Sequence, residues 1–263
     1  MMGMAALAVA LALCASGQTP EPGAAARNDI LTRMKDAAVN YADRLQDFLC
    51  VQLIQRSKED SGPFKHWQAL DTQEREVGYI AQREHFRVLS VNGKPPEVEK
   101  IKPGYFLPGG EFGTALGYIF DPKAVAKFEW DHAEQTGGQQ LCVFRYRVSA
   151  SESTMVMYSD GELTHFGHHG LIYADCKSAM PVRMQIESEP ASLRRGIFKV
   201  ALGWNMDVRY AVTPIGEKEF LLPQSAEEIV RFGNTQTKVE IQFHDYRKYE
   251  SSSTVTFDAN GKQ

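Results

Sequence analysis

The apolar rhythm of this chain changes near Phe48, and that change limits what it can fold into. Upstream, Ile30, Met34, Ala37, Tyr41, Leu45 and Phe48 recur every three to four residues, the spacing that puts side chains on one face of a helix. Asn28 stands where a helix N-cap is expected, so the pattern predicts an amphipathic helix over 29–48. Downstream the period becomes two. Cys142, Phe144, Tyr146 and Val148 share one face, with Arg145 and Arg147 on the other. Val182, Met184 and Ile186 alternate with Arg183, Gln185 and Glu187. Met206, Val208, Tyr210 and Val212 alternate with Asp207, Arg209 and Ala211, and Val239, Ile241 and Phe243 with Glu240, Gln242 and His244. Strands with one apolar and one polar face belong to antiparallel sheets covered on one side, because parallel strands are covered on both and read as continuous apolar runs.

Between these two patterns, 48–56, 68–79 and 80–91 read as strands, the last closed by Asn92-Gly93. Asn-Gly marks a tight hairpin because both turn residues must take positive φ. Asp160-Gly161 marks another. Residues 94–108 are Pro-rich and irregular, and Val255 and Phe257 mark a last short strand. Phe112, Leu116, Ile119 and Phe120 predict a second, short helix that ends before Pro122. The expected fold is mainly β (α+β). A curved antiparallel meander sheet or half-barrel is covered by the N-terminal amphipathic helix and the second short helix, forming one domain over 29–258 with a tail at 259–263.

Residues 1–17 contain no Lys, Arg, Asp or Glu, and 4–15 form an apolar run. About a dozen residues cannot span a bilayer core of about 30 Å, which takes about 20. The run fits the apolar region of a secretory signal, with Ala15-Ser16-Gly17 as the small-residue cleavage pattern and Gln18 as the new N-terminus. Residues 18–28, rich in Pro, Gly and Ala, then form a disordered lead-in. Leu13 stands before Cys14 where a lipidation signal has a small residue. The expected location is the periplasm, or the outer membrane's periphery. Beyond the signal, Cys50, Cys142 and Cys176 allow one disulfide in that oxidising compartment, with three pairings open. The formal net charge of -4 lacks the basic stripe of a nucleic-acid binder.

No G-x-S-x-G, H-E-x-x-H, phosphate-loop, EF-hand or G-x-G-x-x-G string occurs in the sequence. Gly109, Gly110, Gly113 and Gly117 match no phosphate cradle and suit a turn with close helix packing. His165, His168 and His169 are crowded, but on one strand the first and third point away from the second, whereas a metal needs three or four converging ligands. Asp131, Glu134, Glu187 and Glu189 would serve glycoside chemistry only as a pair about 5–10 Å apart across a cleft. No catalytic residue, cofactor or metal is therefore expected. The aromatic and aliphatic residues Phe106, Leu107, Phe112, Leu116, Ile119 and Phe120, with Tyr118, crowd beside glycines and prolines. They read either as a helix closing the core or as a lid over an apolar cavity.

The helix running into Phe48-Leu49-Cys50-Val51-Gln52, the strand Arg83-Glu84-His85-Phe86-Arg87 leading to Asn92-Gly93, and the meander that follows make residues 29–257 resemble the LolA/LolB-like and RseB-like envelope proteins. Phe220-Leu221-Leu222-Pro223 followed by Ala226, together with Phe243, Tyr246-Arg247 and Tyr249, is similar to a group of secreted bacterial proteins without assigned function. The segments at 94–120 and 188–202 have no counterpart in that plan. The resemblance implies an incompletely closed half-barrel that holds acyl chains in an apolar cavity, or that presents a face to another protein. The expected function is a non-enzymatic envelope protein binding a lipid or the acyl chains of a lipoprotein. The alternative is an envelope protein-interaction or sensor module with a filled core. No ligand residue transfers by motif.

Overall fold

The structure, a computed structural model, describes residues 21–59, 66–96, 110–159, 161–196 and 198–250. The expected signal segment, Phe106 and Leu107, the 255–257 strand and the tail lie outside the described residues.

Helix α1 spans Ala24–Val39. It starts ahead of Asn28, after Gly23, because Ala24-Ala25-Ala26 is a run of the strongest helix former; the expected lead-in is thus helical from residue 24. Nor does one helix run on to 48. At Asn40 the side-chain amide turns back to the Asp36 carbonyl (2.8 Å), and a single turn, α2 (Tyr41–Arg44), follows before strand β1 (Phe48–Glu59). The predicted stripe survives the break: Ile30, Met34, Ala37 and Tyr41 are buried, and Tyr41 donates to the Leu221 carbonyl at 2.8 Å.

Strands β2 (Trp67–Ile80) and β3 (Arg83–Val91) form a hairpin whose turn residues, Ala81 (φ 49°) and Gln82 (φ 60°), take the left-handed conformation without glycine. The preceding segment holds that turn: Asp47 accepts the Ala81 N–H at 2.9 Å, and Asp43 accepts the Gln82 amide at 3.0 Å. Asn92 (φ 51°) and Gly93 (φ 71°) make the tight turn their sequence predicts, and Val91 and Lys94 exchange backbone bonds of 2.9 and 3.1 Å across it.

Helix α3 (Thr114–Phe120) is the short helix that Phe112, Leu116, Ile119 and Phe120 predict, and it ends before Pro122 as expected. The remaining strands are β4 (Lys127–Thr136), β5 (Gln139–Val148), β6 (Val156–Ser159), β7 (Glu162–His165), β8 (His168–Asp175) and β9 (Pro181–Ser188). After them come β10 (Ala191–Arg195), β11 (Phe198–Ile215), β12 (Lys218–Phe232) and β13 (Thr235–Lys248). The large sheet has the order β3-β2-β1-β13-β12-β11-β9-β8-β5-β4 and is not closed. All its pairings are antiparallel, and β1 joins the first meander to the last strand of the second. Strands β9 and β10 lie along the same edge of β11, against residues 205–209 and 198–202. Pro190, which has no N–H to offer the ladder, sits at the break between them. Strands β6 and β7 form a separate hairpin.

The apolar faces expected of β5, β9, β11 and β13 are buried against α1 and α3, with three amendments. Val182, expected beside Met184 and Ile186, packs instead with Leu141, Val143 and Tyr173, because the β8–β9 register slips there: Tyr173 pairs with Arg183 and Ala174 with Pro181, leaving Val182 in a bulge. Val212 is 64% exposed, because β11 has run past the end of its pairing with β9 and only β12 flanks it there. Leu141, Val143 and Tyr173, backed by Leu171 and Val182, form a second, small apolar cluster. Leu141 and Val143 occupy the alternate positions of β5, so this cluster lies on the opposite side of the sheet.

Of the three pairings left open, the structure forms Cys142–Cys176, and Cys50 is free and buried. The bridge closes 34 residues of chain between β5 and the end of β8. Its removal in a Cys142→Ala/Cys176→Ala variant is expected to cost about 4 kcal/mol. Urea unfolding of oxidised wild type and variant measures the difference.

Candidate functional site

Helix α3 lies across the concave face of the sheet. The Gly110 N–H is bound by Glu84 at 3.0 Å, and the Gly110 carbonyl accepts from Ala115 at 3.0 Å. Phe112 enters the interior among Phe48, Tyr79, Phe243 and Tyr246, with ring centroids 5.2–6.4 Å away. Leu116, Ile119 and Phe120 are buried with it. The four described members of the sequence-predicted ligand set are therefore brought together as core. Leu116 and Phe120 also border a cavity of about 210 Å³ against α1 and α2, lined further by Tyr41 and Gly113.

The opposite flank of α3 is open. There Ala115 and Tyr118 face the β6–β7 hairpin and its approach, Met155, Val156, Met157 and Phe166, across a cavity of about 240 Å³. The sheet supplies the floor: Leu202, Trp204 and Met206 from β11, Glu228 and Val230 from β12, and Ser188 from β9. Two bonds fix Trp204. Its backbone N–H donates to Ser188 Oγ (2.8 Å), and its indole N–H to Glu228 Oε2 (3.1 Å). The Tyr118 ring meets the indole edge-on, with centroids 6.1 Å apart. Val156 and Met157 remain 44% and 41% exposed, so the hairpin side of this pocket presents apolar surface to water. An apolar pocket with one convergent polar group is the usual form of a small-ligand site.

That polar group belongs to a buried acid cluster. Glu228 is 1% exposed, its Oε2 takes the indole bond, and its Oε1 has no hydrogen-bond partner among the described residues. Glu111, just before α3, is fully buried, and neither of its carboxyl oxygens has a hydrogen-bond partner on another residue among the described residues. Arg75 donates to Gln52 Oε1, and its guanidinium lies 4.3 Å from the Phe86 ring centroid. Burial, reinforced by Glu228 and Glu84, pushes the Glu111 carboxyl up to about 8; burial pushes Glu228 up to about 7 and raises Glu84. Folding thus favours the protonated form of Glu111. Its share of stability is complete below the ordinary value of 4.5 and is lost as pH rises through about 8. The neutral isostere Glu111→Gln is expected to flatten the fall in Tm between pH 5 and 9. Parallel thermal melts of both proteins measure this, and equal slopes would mean that Glu111 ionises freely in the folded chain.

The other candidates do not converge. His165 lies on β7, its Nδ1 2.9 Å from the Ser153 carbonyl oxygen. His168 and His169 begin β8, so the three do not share one strand. His168 is buried, 3.4 Å from the Tyr146 hydroxyl, and burial lowers it to about 4. His169 faces Glu187 at 3.8 Å. Among the described residues no three His, Cys, Asp or Glu are grouped to hold a metal. Asp131 and Glu134 flank His132 at 2.7 and 3.4 Å, and Glu189 pairs with Arg147 at 2.8 Å. A larger groove, about 520 Å³, includes Asp131, Arg145, His169, Glu187 and Asp207. Two of its acids are paired within the protein, Asp131 with Arg145 and Asp207 with Arg183, and Glu187 lies 3.8 Å from His169.

The residues that distinguish the pocket, Trp204 and Glu228, were not singled out from the sequence. A signal existed. Continuing the two-residue alternation of β12 through Ala226 and Val230 places Glu228 on the inner face, an acid at an apolar position.

No protein-family model matches the chain, and no curated protein does. Solved structures similar to it include a LolA superfamily protein from Nitrosomonas europaea, at 11% identity over 86% of this chain and 94% of that one, with a TM-score of 0.36. A DUF1329 family protein from Desulfovibrio piger is similar at 9% identity over 89% and 96%, with a TM-score of 0.36. A domain described as an outer membrane lipoprotein-sorting protein, from Vibrio parahaemolyticus, is similar at 10% identity over 83% and 90%, with a TM-score of 0.34. At these identities and TM-scores the likenesses carry no argument about ligand or activity, and the site stands on its own geometry.

Proposed function

We propose that this chain is an exported, non-enzymatic binding protein that holds an apolar molecule between α3 and the β6–β7 hairpin. The observation that carries the reading is the pocket itself, walled by Met155, Met157, Leu202 and Met206 and floored by Trp204 and a buried acid. Methionine-rich walls adapt to varied apolar shapes. At about 240 Å³ the cavity is smaller than the roughly 300–1,000 Å³ of drug-sized sites, which suits a single short chain rather than the several acyl chains of a lipoprotein. The apolar run at 4–15 and the Cys142–Cys176 bridge both suit export to an oxidising compartment, the periplasm or the outer membrane's periphery.

Trp204 supplies the test. Titrating octanol into the full chain is expected to change its indole fluorescence saturably, and Trp204→Phe, which keeps Trp67 and Trp130, is expected to abolish the change. A signal that persists in the variant, or none in wild type, would remove the pocket from the account.

A second reading, an envelope protein-interaction or sensor module, draws on the filled interior. Phe48, Phe112, Leu116 and Phe144 occupy the concave face that a lipoprotein carrier would keep hollow. Absence of any octanol effect would favour it.

A further inference from the structure

We propose that the pocket takes an amphiphile with a cationic head, its ammonium seated on Glu228 Oε1 and its alkyl chain lying between Met155, Met157 and Leu202. This rests on the apolar-ligand reading above and adds the chemistry of the head group. Three observations lead to it. Glu228 lines the pocket while almost fully buried, and one of its oxygens is bound by Trp204 while the other has no partner among the described residues. A buried carboxylate oxygen without a donor is costly, and a donor entering the pocket would remove that cost. The surroundings supply little positive charge. Among the described residues, Trp204 on β11 and Arg75 on β2 act on Glu228, which in turn acts on Glu111 ahead of α3 and Tyr118 on α3, with Glu84 also acting on Glu111. Glu111, Glu84 and Glu228 share this interior with the Arg75 guanidinium among the described residues; once Glu228 ionises, an anion entering beside it is repelled and a cation is drawn in.

The same chemistry sets the pH dependence. The ammonium needs Glu228 ionised, and burial keeps that carboxyl protonated up to about 7. A primary amine, with a pKa near that of Lys at about 10.4, remains charged throughout. Binding below pH 7 therefore releases a proton from Glu228, and amine affinity rises as pH climbs through 7.

Calorimetric titration of the full chain with octylamine, octanol and octanoate at pH 6 and pH 8 tests this. At pH 8 octylamine is expected to bind roughly tenfold to a hundredfold more tightly than octanol, the margin of a charge-assisted bond, and octanoate most weakly. The amine's advantage shrinks at pH 6, and Glu228→Gln, which can still accept the Trp204 indole bond, removes it, so that octylamine binds the variant no more tightly than octanol. Should that variant not fold, the wild-type pH profile decides, because octylamine affinity that is flat between pH 6 and 8 overturns the proposal. Octanol bound as well as octylamine, or octanoate bound best, overturns the cationic head and leaves the apolar pocket standing. No binding of any of the three removes the apolar-ligand reading and this inference with it.

Discussion

Phe112→Ala is expected to lower the stability of this chain by about 4 kcal/mol. The side chain is fully buried, and four rings surround it at centroid distances of 5.2–6.4 Å, two at near-perpendicular angles of 79° and 88°. Truncation removes the transfer free energy of a phenyl group and leaves a cavity walled by rigid rings and sheet backbone that cannot close it; Phe→Ala at such sites costs about 3–5 kcal/mol. The aromatic pairs add their own share. Urea unfolding followed by circular dichroism measures the loss. A mobile lid would behave differently: the variant would unfold within about 1 kcal/mol of wild type, because exposed sites tolerate truncation. The measurement therefore separates the two roles that the cluster at 106–120 presents in sequence, for those of its members the structure describes.

Gly170→Ala is expected to be as damaging or worse, at roughly 4 kcal/mol or more, above the 1–3 kcal/mol of ordinary overpacking. Gly170 pairs with Ile186 across β8–β9 and with Tyr146 across β5–β8. A Cβ there would overlap the Gln185 carbonyl oxygen, lie 2.7 Å from its carbonyl carbon, and sit 3.1 Å from the Tyr146 ring. These are backbone and packed ring atoms, so relief requires parting β8 from β9 in the middle of the sheet. Against a total stability of about 5–15 kcal/mol, such a loss is visible as reduced soluble yield and a lower Tm. Near wild-type melting of Gly170→Ala would mean that β8 and β9 do not approach as described.

The period change at Phe48 made the sheet legible, because burial on one side leaves a two-residue trace wherever a strand is long enough to show it. The Asn92-Gly93 turn was legible for a local reason, since its backbone demands those residue types. The turn at Ala81-Gln82 carries no such mark. It is held by Asp43 and Asp47, whose part in it is tertiary and leaves nothing in the strand pattern. The end of α1 was misjudged for a similar reason. Tyr41, Leu45 and Phe48 keep the helical spacing, yet Phe48 is buried as the first residue of a strand, and periodicity cannot tell one buried position from the other. The candidate site was less legible. Phe112, Leu116, Ile119 and Phe120 were found because bulky apolar residues cluster visibly, but whether such a cluster fills a space or borders one depends on what lies opposite. The pocket draws on α3, β6, β9, β11 and β12, which are spread widely along the sequence. Its acid shows only as a break in the alternation of β12.

The claim on which this account turns is that a single apolar chain occupies the space between α3 and the β6–β7 hairpin. A crystal structure of the protein grown with octylamine tests it most directly. Alkyl density is expected between Met155, Met157 and Leu202 beside the Trp204 indole, with the nitrogen within hydrogen-bonding distance of Glu228 Oε1. Density confined to the charged groove at Asp131 and Arg145, or a pocket closed over by Met157 with no ligand in it, would contradict it.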